Sequence, residues 1–432
     1  MAEIAAGAYL ASEVIEHGAQ AGYAAYLVSK PTLPLKATFT RIATASDDHT
    51  KRSLARSHHT LTIVNNKAYV FGGTTAENLL ASNDMHAVTV EHTGKPDMDY
   101  GLIPALPTTE GGEVPVSRTN HTACAFHGNV AIYGGSNDKN DLIDEASSLW
   151  LFNPERKAWD LLSSTKTDSA PGPRRNAKLF DHDGSIVLYG GVDATGDAAS
   201  DLWTFDVASK AWTQLPTAPV ATTNAALANG QLYLISAKDS VSGQLHHLGV
   251  SSPIKEMTWD SFTFPANPLA PGPRARHDGA FLPLTTGWGR NYMVYLLGAR
   301  DESLSRTESL MMDEAKDKEN LTQFSDTWAL QIPSSDVDAK PAWSLKNAIK
   351  PAKIKDAIRH AIGAETGHLA WAEAVVQLPS EKQLGEEDGK LHPGPRAFFG
   401  ADVMENGHSV VFWGGVNAKG QRIGDGWIVK FS

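Results

Sequence analysis

The sequence predicts an all-β chain whose strands form a closed ring of six four-stranded blades, and three recurrences predict it. A short apolar run ending in paired glycines appears as KAYVFGG (67–73), NVAIYGG (129–135), SIVLYGG (185–191) and SVVFWGG (409–415), with worn copies QLYLISA (231–237) and MVYLLGA (293–299). Downstream stands an Asp-x-Trp step or its remnant: Asp84-Met85-His86, Ser148-Leu149-Trp150, Asp201-Leu202-Trp203, Leu245-His246-His247, Asp326-Thr327-Trp328 and Asp425-Gly426-Trp427. An arginine-led run then opens the next unit at Arg56, Arg118, Arg174, Arg274 and Arg396, with Thr222 in the worn place.

Each unit reads as strand a after the arginine, strand b into the glycine pair, strand c at the Asp-x-Trp step and strand d behind a later aromatic. Trp159, Trp212 and Trp259 supply that aromatic in three units. Apolar runs of this length between turn residues are strands on periodicity alone. A ring of such units leaves only short, protected edges. The glycines suit a point where strand b ends and the backbone turns close to its neighbour. The string PGPR at 171–174, 271–274 and 393–396 supplies the d-to-a turn.

The last unit has strands near 397–404, 409–414 and 426–431 but lacks strand d. Ala37–Ile42 reads as an orphan strand d, with Phe39 in the tryptophan place. The propeller is therefore expected to span 37–432 and to be closed by this N-terminal strand.

In 432 residues, 41% hydrophobic with 37 glycines and 23 prolines, the composition fits an all-β protein rich in turns. It is too apolar for a disordered chain. A net charge of −11 argues against a nucleic-acid partner. The single cysteine, Cys124, allows no internal disulfide and makes a reducing, cytoplasmic location the expectation. Residues 1–30 are alanine-rich, but Glu13, Glu16, His17 and Gln20 interrupt any apolar run. They read as a helical extension rather than a leader or membrane span, and no membrane partner is expected.

Two insertions break the metre. The charged stretch 299–325 reads as a solvated excursion, with a lid as the alternative. In 344–370, Ile354, Ile358 and Ile362 at helical spacing before Gly363 predict a short helix. Strand d of blade five is led either by Trp343, which spacing favours, or by Trp371, which strand character favours.

The glycine doublet, the Asp-x-Trp step and the later tryptophan resemble the Kelch repeat over roughly residues 37–432. The resemblance implies a six-bladed Kelch β-propeller, akin to galactose-oxidase and Kelch-type propellers and more distantly to plant nitrile-specifier-like proteins. In a propeller, strand a lies nearest the axis, so Arg56, Arg118, Arg174, Arg274 and Arg396 would ring the channel mouth. Converging guanidinium groups bind carboxylate, sulfate or phosphate bidentately. The alternative, not exclusive, is that they hold neighbouring carbonyls and fasten the blades.

The resemblance carries to these five positions the grip that such propellers have on acidic peptides, and that specifier proteins have on an anionic substrate. His59, His121 and His277, with Asp278, would stand at the same mouth as metal ligands or an acid–base set. The competing reading is buried histidines bonded to backbone. No cofactor or metal is expected: the specifier Glu-x3-Asp-x3-His motif is missing, and no Walker, Rossmann, nucleophile-elbow or zinc spacing occurs. The partner expected is an acidic peptide or protein segment, or an anionic small molecule, in an interaction or scaffold role. The alternative is an isomerase, cyclase or lyase acting on an anionic small molecule there.

Overall fold

Strands b such as Ser409–Trp413 and Asn291–Leu296 are buried at every residue. A strand packed on both faces inside a stack of sheets requires this, and it explains why these runs are continuously apolar rather than alternating. The computed structural model describes residues 32–42, 53–90, 100–165, 169–236, 243–265, 272–286, 289–301, 321–333, 369–377 and 391–432.

These residues form six antiparallel blades. Blade one consists of Thr60–Val64, Lys67–Phe71, Met85–Thr89 and Tyr100–Ile103. Blade two consists of Thr122–Phe126, Asn129–Tyr133, Leu149–Asn153 and Ala158–Leu162. Blade three is Lys178–His182, Ser185–Val192, Ala198–Asp206 and Ala211–Leu215. Blade four is Ala225–Ala228, Gln231–Ile235, Gln244–Gly249 and Asp260–Thr263. Blade five is Ala280–Thr285, Asn291–Leu296, Thr327–Gln331 and Trp371–Glu373. In blades one to four the a–b hairpins turn on left-handed pairs, Asn65-Asn66, His127-Gly128, Asp183-Gly184 and Asn229-Gly230, whose twist matches the flanking strands.

Blade six joins the two ends of the chain. Gly400–Val403, Ser409–Trp413 and Gly426–Phe431 take Lys36–Ile42 as their fourth strand, antiparallel from Ala37 opposite Phe431 to Ile42 opposite Gly426. Phe39, 1% exposed, sits in one apolar cluster with Val410, Phe412 and Trp427. The N-terminal strand therefore closes the ring, as its sequence predicts.

Trp371, not Trp343, opens the observed strand d of blade five, pairing with Leu330. After Ala374 the chain crosses to blade six, where Val375–Gln377 runs parallel to Lys36–Thr38 as a fifth strand. Trp343 lies outside the described residues, as do 302–320 of the long b–c loop, whose base pairs as Ala299–Asp301 with Leu321–Gln323. The helices expected within 1–30 and 344–370 likewise fall outside the described residues, except 369–370, which are not helical. Among the described residues the one helical element of more than a single residue is a 3-10 turn at Ile254–Glu256, and Ser53 alone is also helical. No helix there is long and apolar enough to cross a membrane.

The core is a series of seams between blades. Trp159 of blade two packs 5.1 Å from Phe71 of blade one and 5.2 Å from Phe152 of its own blade. Trp212 repeats the arrangement against Tyr133 and Phe205. Each such ring ties two blades together, and truncating one to alanine costs about 3–5 kcal/mol.

Candidate functional site

The arginines answer first. Arg118, fully buried, donates to Gly134 O of strand b at 3.0 Å and to both carboxylate oxygens of Glu145 at 3.0 and 2.6 Å. Arg174 does the same with Gly190 O and Asp201, and Arg396 with Gly414 O and Asp425. Each guanidinium joins the start of strand a, the end of strand b and the start of strand c within one blade. The carboxylate also accepts from the indole N–H of Trp150 or Trp203, so the Asp-x-Trp step and the arginine are one device. With both terminal nitrogens already on a carboxylate of the same blade, these guanidiniums have no fork left for a ligand.

In blade one the device is altered. His86 stands in the tryptophan place, and its Nε2 lies 2.8 Å from Arg56 Nη2. Burial, then the charge of Arg56, pushes His86 down to about 3, so it is a neutral partner. Burial likewise lowers Arg56 to about 10.

Blade five supplies a correction. Arg276, not Arg274, takes the staple place, bonding Leu297 O and both oxygens of Asp326. Arg274 is exposed, and its carbonyl accepts from Arg276 Nε. The expected ring of guanidinium groups around the mouth is therefore not what these side chains form. Four of the five named arginines lie inside blades, and the fifth lies outside the device.

His59 and His121 also belong to the seams. His59 Nε2 accepts from the Gly400 N–H at 3.3 Å across the blade six–one seam, and His121 Nε2 meets Thr60 Oγ1 at 2.8 Å across the next. Burial holds His59 well below the usual imidazole value and His121 at about 3, with nearby arginines adding to the effect. Neither carries charge at neutral pH. The glycine pairs exist for the same contacts: Gly72 is left-handed (φ 61°), and a Cβ there would run into Arg118 O and the His121 ring.

What remains at the axis is a cavity of about 390 Å³, lined by all six strands a and the residues just before them. At its mouth five blades place a left-handed residue two positions after the staple arginine: His58, Asn120, Asn176, Asp278 and Phe398. His58 stacks on Phe398 with centroids 4.5 Å apart. His277 Nδ1 lies 2.6 Å from Asp278 Oδ2. Burial pushes the Asp278 carboxyl up, but the hydrogen bond and charge of His277, helped by His58 and Lys178, outweigh it and leave it below the ordinary value.

Lys178 lines the cavity and makes no hydrogen bond or ion pair at bonding distance among the described residues. Burial lowers its pKa, and Asp278 offsets part of that. No group of three or more His, Cys, Asp or Glu among the described residues is placed to hold a metal ion.

The family described as the KLHDC2/KLHL20/DRC7 Kelch-repeats domain matches residues 58–284, just over half of the chain. This chain belongs to the Kelch-repeat family. Among its relatives, Kelch domain-containing protein 3 of Homo sapiens is 25% identical over 167 residues, covering 37% of this chain and 41% of that protein. Dynein regulatory complex subunit 7 of Chlamydomonas reinhardtii is 27% identical over 142 residues, 32% of this chain and 11% of that protein. The Rho GTPase-activating protein gacHH of Dictyostelium discoideum is 30% identical over 143 residues, 32% of this chain and 8% of that protein. These matches thus span less than half of each relative's length. The solved structure of YjhT aligns with a TM-score of 0.54 at 15% identity, covering 87% of this chain and 97% of that one, a likeness of fold.

Deeper in the Kelch channel, Asp402 of blade six accepts the Ile63 N–H of blade one at 2.8 Å, and burial raises it to about 6 against those amide bonds. A carboxyl whose pKa is higher folded than unfolded favours the folded state while protonated and loses that contribution as pH rises through about 6. Asp402→Asn leaves one of the two amides, Ile63 N–H or Val403 N–H, without its acceptor at every pH, so the test is the change in gap. Wild type should lose up to about 2–3 kcal/mol relative to the variant between pH 4 and pH 8. Denaturant unfolding at the two pH values checks this; an unchanged gap would show that Asp402 is not raised.

Proposed function

We propose that this Kelch propeller is an interaction module that holds an anionic ligand, either an acidic peptide segment or a small anionic molecule, in the channel mouth with Lys178 as the cation. The observation that carries the reading is the contrast between cations. Four staple arginines are spent on carboxylates of their own blades and Arg56 is held by His86, whereas Lys178 lines an open cavity with no anion at bonding distance. A volume of about 390 Å³ suits a side chain or a small molecule rather than a folded domain. One relative is named as a subunit of a regulatory complex, which accords with a scaffold role. The unpaired Cys124 fits a reducing, cytoplasmic setting.

Lys178→Met preserves the aliphatic stem and removes the charge. With fluorescein-labelled tetraglutamate and with citrate as probes, affinity should fall about tenfold to a hundredfold, the worth of one charge-assisted bond. Wild-type affinity should weaken with salt. Equal affinity in the variant, at an unchanged unfolding midpoint, would remove Lys178 from the site.

A second reading is an enzyme of isomerase, cyclase or lyase type on an anionic small molecule, favoured by the positioned His277–Asp278 pair. It requires that a small anion recovered from the protein be converted by wild type and left intact by Asp278→Asn.

A further inference from the structure

The left-handed residues at the mouth are joined to one another. The Asn176 N–H donates to Asn120 O at 2.7 Å, and the Asn120 N–H to His58 O at 3.0 Å. His58 donates in turn to Phe398 O at 2.9 Å, and Phe398 to Asp278 O at 2.8 Å. Four blades thus hand their amides to the carbonyl of the blade before, making four of the six steps around the circle.

Blade four breaks the circle. Thr223 stands in the expected place, two before Ala225 at the start of its strand a, and neither it nor Asn224 is left-handed. The Asn224 N–H turns to Thr222 Oγ1 at 3.1 Å, its carbonyl accepts Ile235 N–H at 3.0 Å, and its side chain donates to Arg276 O at 2.7 Å. Asn176 O and the Asp278 N–H, the two ends of the broken circle, make no hydrogen bond among the described residues. Between them, Thr223 Oγ1 is shielded from solvent and has no partner. Asn176, Thr223 and Asp278 all line the cavity. A carbonyl and an amide that face the cavity without a protein partner take one from whatever fills it, and the chemistry of that partner is specified.

That partner has to donate to Asn176 O and accept from the Asp278 N–H at once. A carboxylate cannot donate, and an ammonium cannot accept. We propose that the gap at blade four is a subsite for an uncharged amide of the ligand, seated between Asn176 and Asp278 beside the Thr223 hydroxyl. The inference rests on the mouth being the ligand site and adds the chemistry of a second contact, separate from the anion at Lys178. The amide has two sources, a peptide bond in a bound segment or the primary carboxamide of a side chain or small molecule. Water also donates and accepts, so the test has to separate it from a ligand amide.

The test uses the full chain with ¹⁵N label and three probes titrated to high millimolar concentration: acetamide, N-methylacetamide and methyl acetate, an ester that accepts without donating. The readout is the Asp278 backbone resonance and its exchange with solvent. The amides should shift that resonance saturably and slow its exchange, and the ester should do neither. Thr223→Val should weaken the effect severalfold. Saturation by both amides assigns a peptide bond, and saturation by acetamide alone assigns a carboxamide. Shifts by the ester equal to those by the amides, or no shift with any probe, would overturn the subsite and leave water as the occupant. A parallel citrate titration read at Lys178 keeps the two ideas apart. Citrate binding with silent amides would refute this subsite alone, and saturable amides with silent citrate would refute the anion reading alone.

Discussion

Removal of residues 1–42 should yield a chain that aggregates and shows no cooperative unfolding, while removal of residues 1–31 alone should leave both solubility and the unfolding transition intact. The difference lies in Lys36–Ile42, which supplies the outer strand of blade six and the partner of Val375–Gln377. Its loss uncovers the edge of Gly426–Phe431 and withdraws Leu35, Ala37, Phe39 and Ile42 from the core. Phe39 alone is worth about 3–5 kcal/mol on truncation to alanine. Total stabilities of only about 5–15 kcal/mol leave no room for the whole strand to go. An opened ring also presents a ready template for pairing with another chain. Size-exclusion chromatography and circular-dichroism melts of the two truncations decide the matter. A soluble, cooperatively melting 43–432 fragment would show that closure does not depend on this strand.

Arg276→Met should destabilise the protein by about 3–5 kcal/mol, whereas Arg274→Met, two residues away, should change stability by no more than about 0.5 kcal/mol. The first leaves Asp326 without its guanidinium and Leu297 O without its donor. The second trims an exposed side chain. Arg118→Met should behave like Arg276→Met, because Glu145 loses both of its arginine bonds. Denaturant midpoints of the three variants suffice. Equal, small losses at all three sites would mean that the guanidiniums are not fasteners.

The pair Arg274 and Arg276 also shows where reading the sequence stops. The blade metre was legible because glycine pairs, Asp-x-Trp steps and strand-length apolar runs are each required once per blade by the same local geometry. The string PGPR misled in blade five because it marks a turn, while the staple is fixed by distance to strand a. Arg56, Arg118, Arg174 and Arg396 each precede the first residue of their strand a by four, and in blade five Arg276 meets that spacing with Ala280. A left-handed Asn, Asp or His two places after the arginine was the available signal, and Asp278 carries it.

Glu145 was hidden for another reason. Blade two has Ser148 where the aspartate belongs, and the longer glutamate reaches back from three residues upstream to bond both Arg118 and Trp150. Lys178 gave no sign at all. One polar residue at the start of a strand is unremarkable until the ring puts that strand on the axis. Trp371 could be separated from Trp343 only by pairing with Leu330, which is a fact of tertiary structure.

The closing strand has a consequence in time. Lys36–Ile42 leaves the ribosome early, yet its antiparallel partner ends at Phe431. At ordinary translation speeds the segment waits roughly 20–80 s for that partner. Throughout that interval Phe39 and an unsatisfied edge face solvent or a holding chaperone, and five blades exist as an arc that cannot yet be a circle. Yield in the cell should therefore depend on what shields Lys36–Ile42 during synthesis as much as on the stability of the finished protein.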